Sequence, residues 1–419
     1  MTSPAGGRAV GFRDALAVGE FRILWLAHAQ SRLGDQLARI AVAVLVFART
    51  SSALLTALTY ALTFLPPLVS APLLSGLADR YPRRTLLVTV DLCRAALIGL
   101  MTIPSVPLAG LAALLVVVVA LQPPYSAARN AMLANVLEAD RYVVGLGLVN
   151  VTDGIAQVVG FALGGVLLEL IGARTALGID AATFMVSVLL VRMGARPHRP
   201  VHKDAWPGTA SRPGARWSVL GGVALVWGDA RLRTLALLVW LYGFYVAPEG
   251  IAAPYAAQLG VGTAAVGLLM AADPIGAVVG AVVFSRWPRP ASRPWAVGPL
   301  AILSGVPLVL SALRPSLPAS LVLWALTGAL SCYIMLAQAE FTVAVPDHRR
   351  GQAVGLLAAG LQAAQGLGLL LAGALAGPFA PSTSVALCGA AGVLCALGAG
   401  PARRRQLEPQ SRRAHLKAN

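Results

Sequence analysis

The sequence predicts an all-α integral membrane protein of about twelve transmembrane helices, arranged as two six-helix halves. Hydrophobic residues make up 57% of the 419 positions and charged residues only 12%, whereas a soluble domain carries about 25% charged residues. Apolar runs of about 20 residues, the length that crosses a bilayer, recur along the chain. Short polar segments separate them, so we expect no separate soluble domain.

Twelve runs are long enough to cross roughly 30 Å of hydrocarbon at about 1.5 Å of rise per residue. They lie approximately at 23–48, 54–78, 85–104, 107–127, 143–170, 175–194, 234–257, 262–285, 295–313, 318–344, 352–376 and 381–400. We expect the first run to stay as a helix, because charged residues precede it and it lacks the cleavage pattern of a signal peptide.

The longest polar stretch divides the chain near its middle. Residues 195–217 are rich in Pro and charge, a composition typical of a flexible linker. We therefore predict an N-terminal six-helix half at 1–194 and a C-terminal half at 218–400 that begins with an interfacial helix. A basic tail follows at 401–419.

An internal repeat supports this division. Residues 79–83 (Asp-Arg-Tyr-Pro-Arg) follow the second predicted helix, and residues 285–289 (Ser-Arg-Trp-Pro-Arg) follow the eighth. The two strings occupy equivalent places in the two halves. This indicates two parallel six-helix repeats.

The basic residues lie mostly on one side of the predicted topology. Of the 33 Lys and Arg residues, 27 fall on the side of the N-terminus, 3 on the opposite side and 3 inside the helices. By the positive-inside rule both termini are cytoplasmic. The net charge of +16 is thereby explained by topology, and we expect no nucleic acid as a partner.

Patterns that would indicate an enzyme or a metalloprotein are missing from the sequence. The four cysteines fall inside predicted helices, where a thiol packs as a small apolar group, and no metal-ligand spacing occurs. No Gly-x-x-x-x-Gly-Lys-Ser/Thr string is present, so ATP is not expected as a direct energy source. We predict no enzyme activity, no metal and no cofactor.

Two motifs resemble those of a known transporter family. Residues 75–84, Ser-Gly-Leu-Ala-Asp-Arg-Tyr-Pro-Arg-Arg, resemble the loop signature Gly-x-Leu-Ala-Asp-Arg-x-Gly-Arg-Arg of the major facilitator superfamily. Residues 160–165, Gly-Phe-Ala-Leu-Gly-Gly, resemble the antiporter signature Gly-Pro-x-x-Gly-Gly, with Phe161 in place of the proline. Within the family, the bacterial drug and siderophore exporter group, which includes macrolide efflux and enterobactin exporters, is similar at 31–36, 91–94, 125–131, 179–184 and 345–351.

The resemblance implies the major facilitator fold and transport by alternating access between two six-helix repeats. It also implies a multi-pass protein of the bacterial cytoplasmic (inner) membrane that works as a monomer. Its partners would be a small-molecule substrate, protons and membrane lipid.

The loop signature further implies a conformational latch. In the family this loop lies near the start of helix eleven, where the N-terminus of that helix favours a carboxylate such as Asp79. Arg349 and Arg350 lie at that start and would add to the attraction. The latch set also contains Arg80, Arg83 and Arg84. The alternative is that these arginines only enforce topology.

The antiporter-like motif supplies small residues on one helix. Gly160 and Gly164 are four residues apart and Gly165 follows, a spacing that lets helices approach closely and pivot. The alternative is close packing without any role in transport.

Ionisable residues at membrane depth are costly and usually functional. Asp35 lies between Arg32 at i−3 and Arg39 at i+4 on one face of helix one. Two neighbouring cations favour its charged form. We therefore predict that Arg32, Asp35 and Arg39 contact a polar group of the substrate.

Helix seven carries a second polar stripe, formed by Tyr242, Tyr245 and Glu249 at i, i+3 and i+7. Since no cation occurs in the membrane part of this helix, Glu249 is predicted to take up and release protons. Tyr242, Tyr245 and Glu249 are also predicted to bind the substrate, because two tyrosines below a carboxylate suit an amphipathic cationic or aromatic solute. Asp153 and Asp273 are further candidates for proton coupling. The alternative is that these groups only bond one helix to another.

The sequence thus predicts a secondary active exporter of small amphipathic molecules, driven by proton exchange. A nutrient importer is one alternative, and a transport-inactive membrane sensor or assembly protein is another. The acids at membrane depth argue against the inactive alternative, because each costs about 2.5 to 3.5 kcal/mol to insert. The identity of the substrate stays open, since an apolar cavity suits many molecules.

Overall fold

The computed structural model describes residues 11–196, 219–286 and 293–418. These ranges are α-helical with short turns and contain no β-strand, which confirms the all-α class. Most of the predicted linker, at 197–217, lies outside the described residues, as do residues 287–289 of the second repeat string.

The helices before the linker follow the predicted spans with some interruptions. They are α1 Phe12–Leu16, α2 Gly19–Thr50, α3 Ala53–Ala61, α4 Pro66–Leu74, α5 Leu77–Arg80, α6 Arg83–Met101, α7 Leu108–Ala120, α8 Gln122–Val136, α9 Ala139–Ile171 and α10 Ala173–Gly194.

The helices after the linker include a predicted interfacial helix and a long final helix. They are α11 Val219–Gly228, α12 Ala230–Trp240, α13 Tyr242–Tyr245, α14 Ala247–Gly250, α15 Ala252–Gln258, α16 Thr263–Ser285, α17 Arg293–Leu310, α18 Leu317–Leu330, α19 Tyr333–Ala344, α20 Arg350–Leu375 and α21 Pro381–Ala418. The final helix therefore continues through the predicted tail as far as Ala418.

Most of these elements have the length and apolar character of membrane spans. In the ranges that the structure describes, ten helices qualify by length and composition. The first and third predicted spans correspond to α2 and α6 and fall outside these ten, because charged residues interrupt both. Together they match the predicted set of about twelve. Large apolar side chains such as Leu170 and Met193 are exposed, as expected of helices solvated by lipid.

Two predicted spans are broken helices. The second span divides into α3, α4 and α5, and the seventh divides into α12 to α15. Proline supplies part of the reason, because it lacks the N–H that continues a helix: Pro66 begins α4 and Pro248 lies in α14. The hydroxyl of Thr63 donates a hydrogen bond of 2.7 Å to the carbonyl of Tyr60 at the end of α3, as broken membrane helices require.

The prediction that residues 128–142 form a loop is wrong for its first part. Helix α8 continues from Gln122 to Val136, so Arg129 lies in a helix. The apolar run of the predicted fourth span ends at 127, before Arg129 and Asn130, but the helix continues through these polar residues.

Contacts divide the chain into two compact units. Unit 1 comprises the described residues of 11–41, Val69–Gly160 and 171–196. Unit 2 comprises Val42–Leu68, Phe161–Leu170, 219–286 and 293–418. Segments at 42–68 and 161–170 from the first predicted half thus pack within unit 2. The boundaries of the two sequence halves stay a prediction.

The core of unit 1 forms where α6 packs against α8 and α10. Phe21, Tyr125 and Met132 are buried there among aliphatic side chains. Large side chains fill this unit and hold the polar residues of α2, α8 and α9 in place.

In unit 2 the helices approach one another at glycines. A Cβ added to Gly276 of α16 would lie 1.8 Å from the carbonyl oxygen of Ala325 in α18. One added to Gly328 of α18 would lie 2.0 Å from the carbonyl oxygen of Asp273. Small residues permit this backbone contact, which fixes the position of Asp273 in the unit.

Candidate functional site

A small cavity in unit 2 contains two carboxyl groups. Its volume is about 10 Å³, room for about one water molecule. It is lined by Tyr245, Pro248, Glu249, Asp273, Leu308, Trp324 and Thr327. Among the described residues that line this cavity, Glu249 and Asp273 are the charged side chains.

Glu249 is held by a tyrosine from another helix. Its side chain is 6% exposed, and its Oε2 accepts a hydrogen bond of 2.6 Å from the hydroxyl of Tyr60 in α3. Sequence reasoning missed Tyr60. An isolated tyrosine in an otherwise apolar run was the available signal, because a buried tyrosine hydroxyl usually finds a partner.

Asp273 has a similar arrangement. Its Oδ2 accepts a hydrogen bond of 2.8 Å from the hydroxyl of Tyr242, whereas its buried Oδ1 has no hydrogen-bond partner among the described residues. Asp273 is 8% exposed. Within the same described part of the chain, the Nε1 of Trp324, which lines the cavity with it, also has no hydrogen-bond partner.

The predicted stripe of helix seven is only partly brought together. Tyr245 and Glu249 both line the cavity, but Tyr245 donates to the carbonyl oxygen of Ala301 at 2.6 Å. Tyr242 donates to Asp273 instead. The breaks between α12 and α15 explain why a regular i, i+3, i+7 spacing does not hold here.

A second polar cluster lies in unit 1 between α2, α8 and α9. Arg32 donates from Nε to Asp153 Oδ1 at 2.9 Å and from Nη1 to Asp35 Oδ2 at 3.1 Å. One guanidinium therefore joins two of the predicted acids. Arg39 is half-buried and forms no hydrogen bond to Asp35 in the ranges described, so the observed pairing is with Arg32 alone.

His28 and Arg129 complete this cluster and were not predicted. Nη1 of Arg129 lies 2.6 Å from Nδ1 and 3.0 Å from Nε2 of His28, and Nε2 also lies 2.9 Å from Oδ1 of Asp153. Arginine only donates, so the tautomer with the proton on Nε2 satisfies both Arg129 and Asp153. His28 lies one turn before Arg32 on the same helix face, which was a usable signal.

A third group of polar side chains is buried behind this cluster. Asp91 accepts a hydrogen bond of 2.6 Å from the hydroxyl of Ser187. Arg94 lies over the rings of Tyr125 and Phe184, at 5.3 and 5.6 Å from their centroids. Asp91 and Arg94 are three residues apart on one helix, but in the described residues no salt bridge joins them, and the guanidinium packs on aromatic faces.

The predicted latch residues lie at the surface of both units. Asp79 and Arg80 are exposed in unit 1. Arg83 donates to the carbonyl oxygen of Ala131 at 2.7 Å, and Arg84 donates to that of Arg192. In unit 2, Arg349 is exposed, and Arg350 pairs with Asp347. The interaction of Asp79 with the two arginines stays a prediction.

The glycines of the antiporter-like motif lie at close helix contacts. A Cβ on Gly160 would lie 2.7 Å from the Cβ of Gln36 in unit 1. A Cβ on Gly165 would lie 2.7 Å from the Cα of Gly267 in unit 2. Gly164 is buried beside it. One turn further, Glu169 accepts a hydrogen bond of 2.8 Å from the backbone N–H of Ala264 in the first turn of α16.

These features define a polytopic α-helical membrane protein with buried polar sites, the class that includes solute transporters. The sequence matches the model of the Major Facilitator Superfamily over residues 24–248 and 250–418. The chain therefore belongs to the Major Facilitator Superfamily and is a membrane transporter. This confirms the family that the loop signature predicts.

Curated relatives and solved structures agree with this membership. The chain is 28% identical to the multidrug efflux pump Tap of Mycobacterium tuberculosis (strain ATCC 25618 / H37Rv), over 84% of this chain and 86% of that protein. It is 29% identical to Tap of Mycolicibacterium fortuitum over 53% of this chain and 54% of that protein, so this match spans about half of the relative's length.

Among solved structures, the nucleoside transporter NupG has a TM-score of 0.74 at 13% identity, over 91% of this chain and 98% of that chain. A bacterial homolog of the human lysosomal transporter Spinster, in an inward-facing and occupied conformation, has a TM-score of 0.70 at 15% identity, over 95% and 97% of the two chains. These likenesses concern the fold.

Proposed function

We propose that this protein is a secondary active exporter of small amphipathic molecules and that it couples export to proton entry by alternating access. Glu249 is the first coupling residue, and Asp273 is the next candidate. A substrate of the drug, macrolide or siderophore type fits this function.

The observation that carries the proposal is the pair of buried carboxyl groups in the unit 2 cavity. Each accepts a hydrogen bond from a tyrosine hydroxyl, and the described residues that line the cavity with them are apolar, aromatic or hydroxyl-bearing. A carboxyl group that is buried and bonded to a neutral hydroxyl changes between its neutral and charged forms more readily than one held in an ion pair. Proton coupling requires this change during each cycle.

Asp153 is the weakest of the three predicted coupling residues. The guanidinium of Arg32 contacts its Oδ1, and His28 bonds to the same oxygen. A contact with a cation such as Arg32 favours the charged form of the acid. We propose that Arg32, Asp35 and Asp153 instead fix a polar group of the substrate, with Arg39 close by on the same helix.

Similarity to the multidrug efflux pump Tap favours export over import. A nucleoside transporter and a peptide transporter share the fold, so import of a nutrient is the second candidate. Transport assays in vesicles of known orientation separate the two.

The proposal is tested by Glu249→Gln in proteoliposomes with an imposed pH difference and the aromatic cation ethidium as the probe. The variant keeps the size and most hydrogen bonds of the side chain but cannot titrate. We expect ethidium exchange down its own gradient to persist and accumulation against a gradient to fall by about tenfold or more, since coupling requires titration.

The matched control is Glu138→Gln, which makes the same chemical change at an exposed position between α8 and α9. It should keep uphill transport. If Glu249→Gln accumulates ethidium as the parent does, Glu249 is not the coupling residue, and Asp273 and then Asp153 are tested in the same way.

We further propose that Asp79 acts as the latch on the cytoplasmic side with Arg349 and Arg350. Asp79→Lys reverses the charge at an exposed position, so insertion should persist while transport is lost. Full transport activity of this variant would contradict the proposed latch.

The remaining parts of the proposal concern placement. We propose the bacterial inner membrane as the location, with both termini cytoplasmic, because of the asymmetry of the basic residues. Lipid surrounds the exposed apolar side chains, and the protein functions as a monomer of two six-helix halves joined by the linker at 195–217.

A further inference from the structure

Tyr60 makes a contact that the predicted transport mechanism does not use. It belongs to α3, and its hydroxyl donates to Glu249 of α14 at 2.6 Å. Tyr60 is 2% exposed and Glu249 6%. Both residues lie in unit 2, although α3 comes from the first predicted half of the sequence.

The helices that hold this contact pack through small residues. A Cβ on Gly250 would lie 2.7 Å from Leu369 of α20 and 3.6 Å from the Cβ of Ala57 of α3. A Cβ on Gly373 of α20 would lie 2.4 Å from the Cβ of Ala57. Small side chains allow close docking but few strong contacts, so a hydrogen bond can decide whether α3 stays docked.

The other polar side chains of this segment bond within it. The hydroxyls of Thr56, Thr59 and Thr63 donate to the carbonyl oxygens of Ser52, Leu55 and Tyr60. In the described residues 53–63, Tyr60 is thus the side chain whose hydrogen bond links the segment to another helix.

The titratable side chains near Glu249 are, apart from Asp273, tyrosines and cysteines, so a change of charge near α3 comes from a carboxyl group. Helices α3, α13, α15, α16, α20 and α21 pack against α14. Their titratable residues in this part of unit 2 are Tyr60, Tyr242, Tyr245, Tyr255, Asp273, Cys388 and Cys395. Arg350, the first residue of α20, lies about five turns before Leu369 and does not line the cavity.

We propose that Tyr60 is a positioning residue that links the protonation of Glu249 to the docking of α3 within unit 2. A charged carboxylate accepts a hydrogen bond about twice as strong as a neutral group does. The ionised form of Glu249 therefore holds α3 in place, and proton uptake loosens it. The inference rests on the proposed role of Glu249. It identifies Tyr60 as the residue through which protonation of Glu249 changes the docking of α3.

The first test compares Tyr60→Phe with the parent in proteoliposomes, with ethidium as the probe. Phenylalanine keeps the ring and removes only the hydroxyl. We expect exchange at equal pH on both sides to persist, whereas its dependence on pH flattens to a ratio of about one between the acid and neutral limits, since the charge of Glu249 no longer reaches α3.

The matched control is Tyr255→Phe. The hydroxyl of Tyr255 lies 2.9 Å from the hydroxyl of Ser320, away from both carboxyl groups, and the residue does not line the cavity. This variant should keep the pH profile of the parent. A parental profile in Tyr60→Phe overturns the proposal.

The second test does not depend on the folding of Tyr60→Phe. Hydrogen exchange of the amides at 53–61 is measured against pH in the parent and in Glu249→Gln. The measured quantity is the protection factor, in which the intrinsic dependence of amide exchange on pH has been removed. We expect protection to fall on acidification in the parent and to be independent of pH in the variant. Protection that does not change with pH in the parent overturns the role of Tyr60, whereas uphill transport by Glu249→Gln overturns the proposed coupling itself.

Discussion

The two polar clusters use carboxyl groups in opposite ways. In unit 1, Asp35 and Asp153 share the guanidinium of Arg32, and His28 also contacts Asp153. In unit 2, Glu249 and Asp273 are bonded to tyrosine hydroxyls. An ion pair keeps its acid charged, whereas a neutral donor leaves the acid able to change state.

We propose that the two clusters have separate tasks. The acids of unit 1 each bond to the guanidinium of Arg32 and would orient a polar group of the substrate. The acids of unit 2 each accept a hydrogen bond from a tyrosine hydroxyl and would exchange protons. The supporting structure differs too, since close backbone contacts position Asp273, whereas side-chain hydrogen bonds position Asp153.

The largest effect is expected from Gly328→Ala, which tests whether close backbone contacts position Asp273. The added methyl group would lie 2.0 Å from the carbonyl oxygen of Asp273, so α16 and α18 must move apart. We expect a loss of about 1–3 kcal/mol of stability or more and the loss of uphill transport. Thermal unfolding in detergent and transport in proteoliposomes measure the two effects.

The matched control is Gly298→Ala in α17, where an added Cβ meets nothing within 4 Å. It should leave both readouts close to those of the parent. Equal effects of the two substitutions would show that close packing does not set the position of Asp273.

A smaller effect is expected from Arg32→Ala in unit 1. It leaves Asp35 and Asp153 without their shared donor, at a cost of about 1–3 kcal/mol as for other unsatisfied polar groups. Binding of a polar or anionic substrate should weaken more than that of an apolar one. Unfolding temperature and competition binding provide the measurements.

Arg32→Lys refines this test, because an ammonium group cannot reproduce the planar fork that reaches both acids. It should fall between the parent and Arg32→Ala in stability. Equal losses for polar and apolar substrates in Arg32→Ala would mean that the cluster is only structural.

The smallest expected effect is that of replacing one acid of each cluster by its amide, which tests the two proposed tasks separately. Asp273→Asn keeps an oxygen for Tyr242 to donate to, so the fold should persist, but one titrating group is lost from the cavity. We expect the pH dependence of transport to weaken while substrate binding changes by less than about threefold, well under the tenfold that corresponds to about 1.4 kcal/mol.

Asp153→Asn is the corresponding change in unit 1. It should weaken substrate binding without altering the pH dependence of transport. The opposite pattern, with the pH dependence lost in Asp153→Asn and kept in Asp273→Asn, would contradict the proposal. Proton coupling would then belong to unit 1 and substrate binding to unit 2.

Broken and polar helices limited what the sequence could predict about the sites. The predicted fourth span ends at 127, which left Arg129 outside the predicted helices, yet Arg129 lies in α8 and reaches His28 in the structure. Tyr60 and Trp324 carry no recognisable motif, and their place beside Glu249 depends on helices far apart in sequence. Such contacts depend on how the helices pack, which hydropathy does not describe.

The sequence by itself determined the membrane class, the approximate spans and the family, because a lipid solvent requires long apolar helices and the loop signature is local. It also identified Glu249, Asp273, Asp35 and Arg32 as unusual for their depth. Tertiary structure alone decided which acid meets a cation and which meets a tyrosine. That choice depends on distances of about 3 Å between side chains on different helices, and spacing along one helix cannot supply them.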